Sequence, residues 1–279
     1  MIRLAVALVV GVVGGRLAWL ACRPIFASPA LRRPNWRDRP VPTAAGLILP
    51  LVVMGTEAGR AVFGAFGVGT PGTTPTRLAV LVTVLGFALL GAVDDVVGTG
   101  DQRGFRGHLG ALARGRLTTG TLKLVGGVTL AVAVAGSLLG QAPLRLAGDA
   151  ALIALCANAA NLFDRAPGRV IKVGVVAFAV LVAVAGERAR LGPVAVVMGT
   201  ALGLLFDDLR EHLMVGDAGA NALGAVLGLG LVVAGSPLVR TIALVVVVAV
   251  NVAGELVSFS RVIDAVPPLR AIDRAGRLP

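Results

Sequence analysis

Apolar positions along this chain gather into nine long continuous runs, near 2–22, 44–66, 77–95, 119–140, 148–164, 170–186, 191–206, 217–235 and 238–258. Several approach the roughly 20 residues that carry a helix across a hydrocarbon core, while 148–164 and 191–206 are short for that task. Runs without alternation argue against half-buried strands, and a helix satisfies its own backbone hydrogen bonds in lipid. The pattern predicts an all-α polytopic membrane bundle of about nine transmembrane helices. It forms one domain over 1–279, with no separate soluble unit.

The polar stretches between the runs are unequal. Those at 23–43 and 96–118 are the longest. Pro34, Pro40 and Pro42 stiffen the first, and Gly98, Gly100, Gly104, Gly107, Gly110 and Gly115 loosen the second enough to fold over a ligand. The tail 259–279 alternates Val262, Ile263, Val266, Leu269 and Ile272 with Arg261, Asp264, Arg270, Asp273 and Arg274. Pro267-Pro268 interrupts it, which predicts two short interfacial helices rather than another span. Arg3 and the apolar run after it look like a signal peptide, but the many later spans favour an uncleaved first helix.

Composition agrees with a membrane protein: 56% of residues are hydrophobic, 15% are charged, and the mean hydropathy is +0.89. The 38 glycines suit close approach of helices in lipid. The net charge of +11 changes the picture only through its placement. Connections at 23–43, 96–123, 165–172, 207–216 and 259–279 together carry 18 Lys and Arg residues. The other side carries seven: Arg3, Arg60, Arg77, Arg145, Arg188, Arg190 and Arg240. The excess orients the first set of connections toward the cytoplasm and predicts a multi-pass plasma-membrane protein. With no Tyr and few other aromatic residues, there is no stacking platform for bases, so nucleic acid is not expected as a partner. Cys22 and Cys156 fit no metal motif and no structural disulfide, and Cys156 reads as a small buried hydrophobe.

The candidate chemistry falls at the ends of the runs facing the predicted cytoplasmic side. Asp94 and Asp95 close the third run, where a helix C-terminus opposes negative charge, so a cation or a basic loop is needed to compensate them. Asn158, Asn161 and Asp164 recur every three residues along one helical face, followed by Arg165, Arg169 and Lys172. A ligand site is the favoured interpretation of that stripe, although Asn158 alone also fits interhelical bonding. Asp217 fits an N-cap as well as it fits a ligand, and the glycines beside it allow a phosphate to approach. Lys123, one turn into the fourth run, either snorkels or faces a diphosphate. Asp207, Asp208, Glu211 and His212 read as a solvated turn, with metal binding as the alternative. His108 is a lone histidine in the glycine-rich loop, and Asn251 and Glu255 suit packing or support of a site.

In this order the segments resemble the polyprenyl-phosphate N-acetylhexosamine-1-phosphate transferase superfamily. That superfamily includes phospho-MurNAc-pentapeptide translocase and GlcNAc-1-phosphate transferases. The resemblance rests on Pro40-Val41-Pro42-Thr43-Ala44-Ala45-Gly46, Asp94-Asp95, Lys123, the stripe Asn158 to Asp164, and Gly216-Asp217-Ala218-Gly219. It implies Mg²⁺-dependent transfer of a sugar-1-phosphate from a UDP-sugar, the nucleotide-sugar partner, to a membrane polyprenyl phosphate. UMP is released, and the product begins a cell-envelope glycan. It further implies that Asp94 or Asp95 acts on the lipid phosphate, and that Asp217, with Asp95, binds the metal. Lys123, Asn158, Asn161, Asp164, Arg165 and Arg169 would then bind substrate. A homodimer is one assembly compatible with this expectation.

Departures from the family pattern mark a divergent member. Arg165-Ala166-Pro167-Gly168-Arg169 follows Asp164 where relatives continue with Gly and a second Asp. No histidine follows His212, Asn35-Trp36 stands where relatives often carry a histidine, and a tenth span is missing. The alternatives are a catalytically inactive polyprenyl-phosphate-binding or scaffold protein, and a small-solute transporter.

Overall fold

The computed structural model describes residues 1–69, 72–98, 118–138 and 142–278. Among them are eleven α-helices and one two-stranded hairpin. In chain order the helices are α1 (Ile2–Phe26), α2 (Ile48–Ala65), α3 (Pro75–Val97), α4 (Thr119–Leu138), α5 (Pro143–Phe163) and α6 (Arg169–Val184). They continue with α7 (Gly192–Leu209), α8 (Gly216–Ala234), α9 (Pro237–Leu256), α10 (Phe259–Ala265) and α11 (Pro267–Arg274). The architecture is the expected all-α polytopic bundle. Much of the loop 96–118, with His108, lies outside the described residues.

Helix entries follow local chemistry. Pro75, Pro143, Pro193 and Pro237 sit in first turns, where no intrahelical N–H is needed. The hydroxyls of Thr74 and Ser236 cap α3 and α9 by accepting from the N–H of Arg77 and Val239, each at 3.3 Å. The tail breaks between α10 and α11 at Pro267, as the sequence predicts.

Among the described residues, eight segments are long and apolar enough to cross a membrane by themselves. The remaining predicted span, 170–186, is helical over the 16 residues of α6. Its far end meets that of α8, where Gly186 N–H donates to the carbonyl of Ala234 (2.9 Å). The two short predicted spans are longer in the structure: α5 begins at Pro143, and Asp149 inside it accepts from Arg240 at 3.0 Å. Helix α7 runs on through Asp207, which pairs with Arg16, and Asp208 to Leu209.

The bundle is organised around α8, which is buried along nearly its whole length. Gly224 and Gly228 bring it against the backbone of α5 around Leu152–Ala157, and Gly91 of α3 lies against the backbone at Asp217. A β-carbon at any of these positions would meet backbone atoms. Alongside, α1 and α7 pack in parallel through Gly11, Gly15, Gly199 and Gly203, the small-residue contact that lets membrane helices touch. Helix α9 is peripheral and mostly exposed, resting chiefly on α5. The connection 23–43 forms an antiparallel pair, β1 (Arg32–Pro34) and β2 (Pro40–Pro42), where prolines are tolerated because both strands are edges.

Candidate functional site

The C-terminal ends of α3, α5 and α7 and the N-terminal ends of α4, α6 and α8 meet at one end of the bundle. Lys123 is the centre of this end. Its ammonium donates to Asp94 (3.0 Å) and to Asp217. Asn161, with its amide oriented to satisfy both neighbours, donates to Asp217 (2.6 Å) and accepts from Lys123 (3.2 Å). Four predicted residues from four helices therefore form one connected cluster. The side chains of Lys123, Asp94 and Asp217 are 21%, 23% and 24% exposed, so the cluster is neither sealed nor fully solvated.

Asp95 does something else. Its two carboxylate oxygens accept from the backbone N–H groups of Asp217 and Ala218, both at 3.0 Å. A side chain of α3 thus satisfies the orphan donors of α8, and its negative charge sits on the positive end of that helix dipole. Sequence reasoning offered an N-cap role to Asp217, the local residue; the structure gives the capping to Asp95, 122 residues away in sequence. Gly216, with φ of +68°, makes the turn into α8, and a β-carbon there would press on the Asp95 carboxylate.

The first loop has a positioning role that its prolines did not reveal. Ala45 and Gly46 donate backbone hydrogen bonds to the carbonyls of Met214 and Val215 (3.2 and 2.9 Å), and Met214 N–H donates to Pro42 (2.7 Å). Gly46 lies against the backbone of Gly219, leaving no room for a side chain. The stretch Pro40 to Gly46 thereby fixes the loop that delivers Asp217.

The remaining predicted residues are distributed around this cluster. Asp164 follows the last turn of α5. Burial, together with the charges of Asp208 and Asp217, pushes its carboxyl up to about 8, with Arg165 opposing. Arg165 is exposed. Asn158 turns away and donates to Asn251 of α9 (2.6 Å), while Asn251 donates to the carbonyls of Leu155 and Val247. The α5–α9 contact thus uses the interhelical bond that Asn158 alone would suggest.

Arg169 is not in the cluster. It makes a two-pronged pair with Asp273 of α11 (2.8 and 2.9 Å) and donates to Ser260 of α10 (2.7 Å), at 5% exposure. Lys172 donates to the carbonyls of Ile272, Asp273 and Ala275, and Arg277 to that of Pro167. The arginines after Asp164 therefore divide, one facing water and one fastening the tail.

Asp207 and Asp208 differ from the expectation of a solvated turn: they are 2% and 5% exposed. Asp207 pairs with Arg16 of α1 and lies 3.1 Å from His212, and Asp208 accepts from Gly168 N–H (2.9 Å). Partners distant in sequence satisfy both carboxylates, which is why the local pattern misread them. Asn221, one turn beyond Asp217 in α8, is buried with its amide nitrogen unpartnered, a feature no sequence pattern singled out. Among the described residues, no three or more His, Cys, Asp or Glu side chains are grouped as a metal site.

No protein-family model matches the chain, and no curated protein matches it.

Proposed function

We propose that this protein transfers a sugar-1-phosphate from a UDP-sugar to a membrane polyprenyl phosphate at the cytoplasmic face of the plasma membrane. The supporting observation is the linked set Asp94, Lys123, Asn161 and Asp217, drawn from four helix ends and left partly open. A phosphate oxygen of the lipid attacks the β-phosphorus of the nucleotide-sugar. The bond to the bridging oxygen breaks, UMP leaves with the electron pair, and the polyprenyl-diphosphate-sugar stays in the membrane. Such transfers need little covalent participation from the protein; positioning and charge neutralisation dominate.

Lys123 binds phosphate in this scheme, and Asp94 orients the attacking lipid phosphate. Asn161 fixes the Asp217 carboxylate, and Asp95 acts as a positioning residue through the α8 backbone. The donor set fits Mg²⁺: Asp94 and Asp217 converge on one cationic point, and Mg²⁺ is commonly held by one or two carboxylates together with substrate phosphates. Asp94 and Asp217 would hold Mg²⁺, which when bound would supply charge neutralisation to the diphosphate.

The test is UMP release from purified protein given polyprenyl phosphate, a panel of UDP-sugars and Mg²⁺. Asp94→Asn and Asp217→Asn should each slow release by about 10²–10³-fold, the usual cost of removing one electrostatic contact in a transfer site. Full activity in both variants, or a folded wild type inert toward every donor, defeats the proposal. A second interpretation, a non-catalytic polyprenyl-phosphate-binding protein, draws on Lys123 already balancing two acids. It predicts lipid-phosphate binding without Mg²⁺ and no UMP release.

A further inference from the structure

At the end of the bundle away from the acids, α1 and α2 part. The helices run antiparallel and touch where Gly14 meets Val52. Beyond that contact they diverge toward Arg3 and Phe63, and Val196 of α7 helps line the opening. The result is a cavity of about 500 Å³, within the roughly 300–1,000 Å³ of pockets that hold one small ligand. Gly55 and Gly59, one turn apart on α2, line it, and a β-carbon at either would meet nothing within 4 Å. This is the reverse of Gly11, Gly15, Gly199 and Gly203, where backbones fill the space. The glycines of α2 keep a groove open, whereas those of α1 and α7 close a contact.

The groove is graded along its length. Val6, Val10 and Phe63 are exposed apolar residues along its sides. Arg3 and Arg60 stand among the lining residues of α1 and α2. Gly14 to Arg3 is eleven residues, so Arg3 lies about 16 Å beyond the helix contact, at the depth where a basic side chain reaches lipid headgroups. The basic side chains here outnumber their acidic partner, because Arg60 shares Glu57 with Arg77. Glu57 is taken by Arg77, whose Nε donates to both its oxygens at 3.0 and 2.9 Å, and lies 3.8 Å from Arg60. Arg3 has no side-chain hydrogen bond or ion pair to the described residues.

We infer that this groove binds an anionic phospholipid, with one acyl chain along Val6, Val10, Gly55 and Gly59 and the headgroup phosphate at Arg3 and Arg60. Guanidinium groups pair with phosphate through two parallel hydrogen bonds, and the excess positive charge selects anionic over zwitterionic headgroups. The occupant belongs to the leaflet opposite the Asp94–Lys123–Asp217 cluster. Lipid binding in this groove is independent of the chemistry proposed for that cluster.

Native mass spectrometry of the full chain, released from nanodiscs of equal phosphatidylglycerol and phosphatidylcholine, tests it. Wild type should retain phosphatidylglycerol over phosphatidylcholine by at least about fivefold, and Arg3→Gln with Arg60→Gln should bring the ratio near one. Gly55→Leu with Gly59→Leu projects side chains into the groove from β-carbons that meet no other atom, and should lower retention of both lipids. Equal retention by wild type overturns the inference, as does a preference that survives both double variants. The wild-type ratio decides the matter even where a variant folds poorly.

Discussion

The Asp94–Lys123–Asp217 cluster and the Arg169–Asp273–Arg277 cluster both set carboxylates against cations at the same end of the bundle. They differ in closure. The first keeps between a fifth and a quarter of each side chain exposed and joins three helix ends by single contacts to one ammonium. The second is 5–10% exposed, and Arg169 is fixed to Asp273 through a planar two-pronged pair. A buried pair with every donor satisfied resists rearrangement, whereas an ammonium shared between half-open acids can exchange one partner for a phosphate. The charges of the tail therefore hold structure, and those around Lys123 are the ones available to a ligand.

The largest effect expected from breaking this contrast is at Asp273. Asp273→Ala leaves Arg169 buried without its counter-charge and should cost about 3–5 kcal/mol, read by thermal unfolding in detergent. Replacing both partners by apolar residues of similar size, as in Arg169→Met with Asp273→Leu, should recover much of that loss. A near-neutral Asp273→Ala would show that the tail is not a structural clamp.

Acid attacks the same contact. Burial opposes ionisation of Asp273, but the hydrogen bond from Arg169 and the charge of Arg277 outweigh it and hold the carboxyl below its ordinary range. Its contribution to stability is then complete above the unfolded carboxylate value near 4 and is lost as pH falls through the lower folded value. Tail docking, followed by limited proteolysis after Arg261 and Arg270, should hold at pH 5 and weaken only below about pH 4.

At the open cluster, Gly216→Ala combines left-handed backbone strain with pressure on Asp95, and should cost about 1–3 kcal/mol. It should also lower UMP release further than the stability loss explains, because the turn sets the position of Asp217. Release falling only in proportion to folded protein would separate that turn from the site. The smallest change is expected at Arg274, whose pair with Asp264 leaves both side chains more than half exposed. Arg274→Ala should shift stability by no more than about 0.5 kcal/mol, which sets a baseline for the buried pairs.

Much of this arrangement was legible in the chain. Continuous apolar runs gave the bundle, Pro267 gave the break in the tail, and the acids at the ends of runs fall together at one end of the molecule. Illegible were the partners. Asp95 caps a helix 122 residues away, Asp207 finds Arg16 across 191 residues, and Arg169 finds Asp273 across 104. Local pattern treated Asp207 and Asp208 as a solvated turn because a carboxylate's surroundings depend on which helix packs over it, and periodicity does not carry that information.

By itself the sequence determined the helical class, the membrane character and the set of acids able to act together, since these follow from backbone satisfaction in lipid and from the cost of placing charge there. Tertiary structure alone decided which acids stay open. Asp94 and Asp217 share Lys123, Asp95 is spent on the α8 backbone, and Asp273 is closed against Arg169. A carboxylate shares an ammonium, caps a helix or clamps the tail according to the donor that packing brings within about 3 Å, and packing is settled by the whole chain at once.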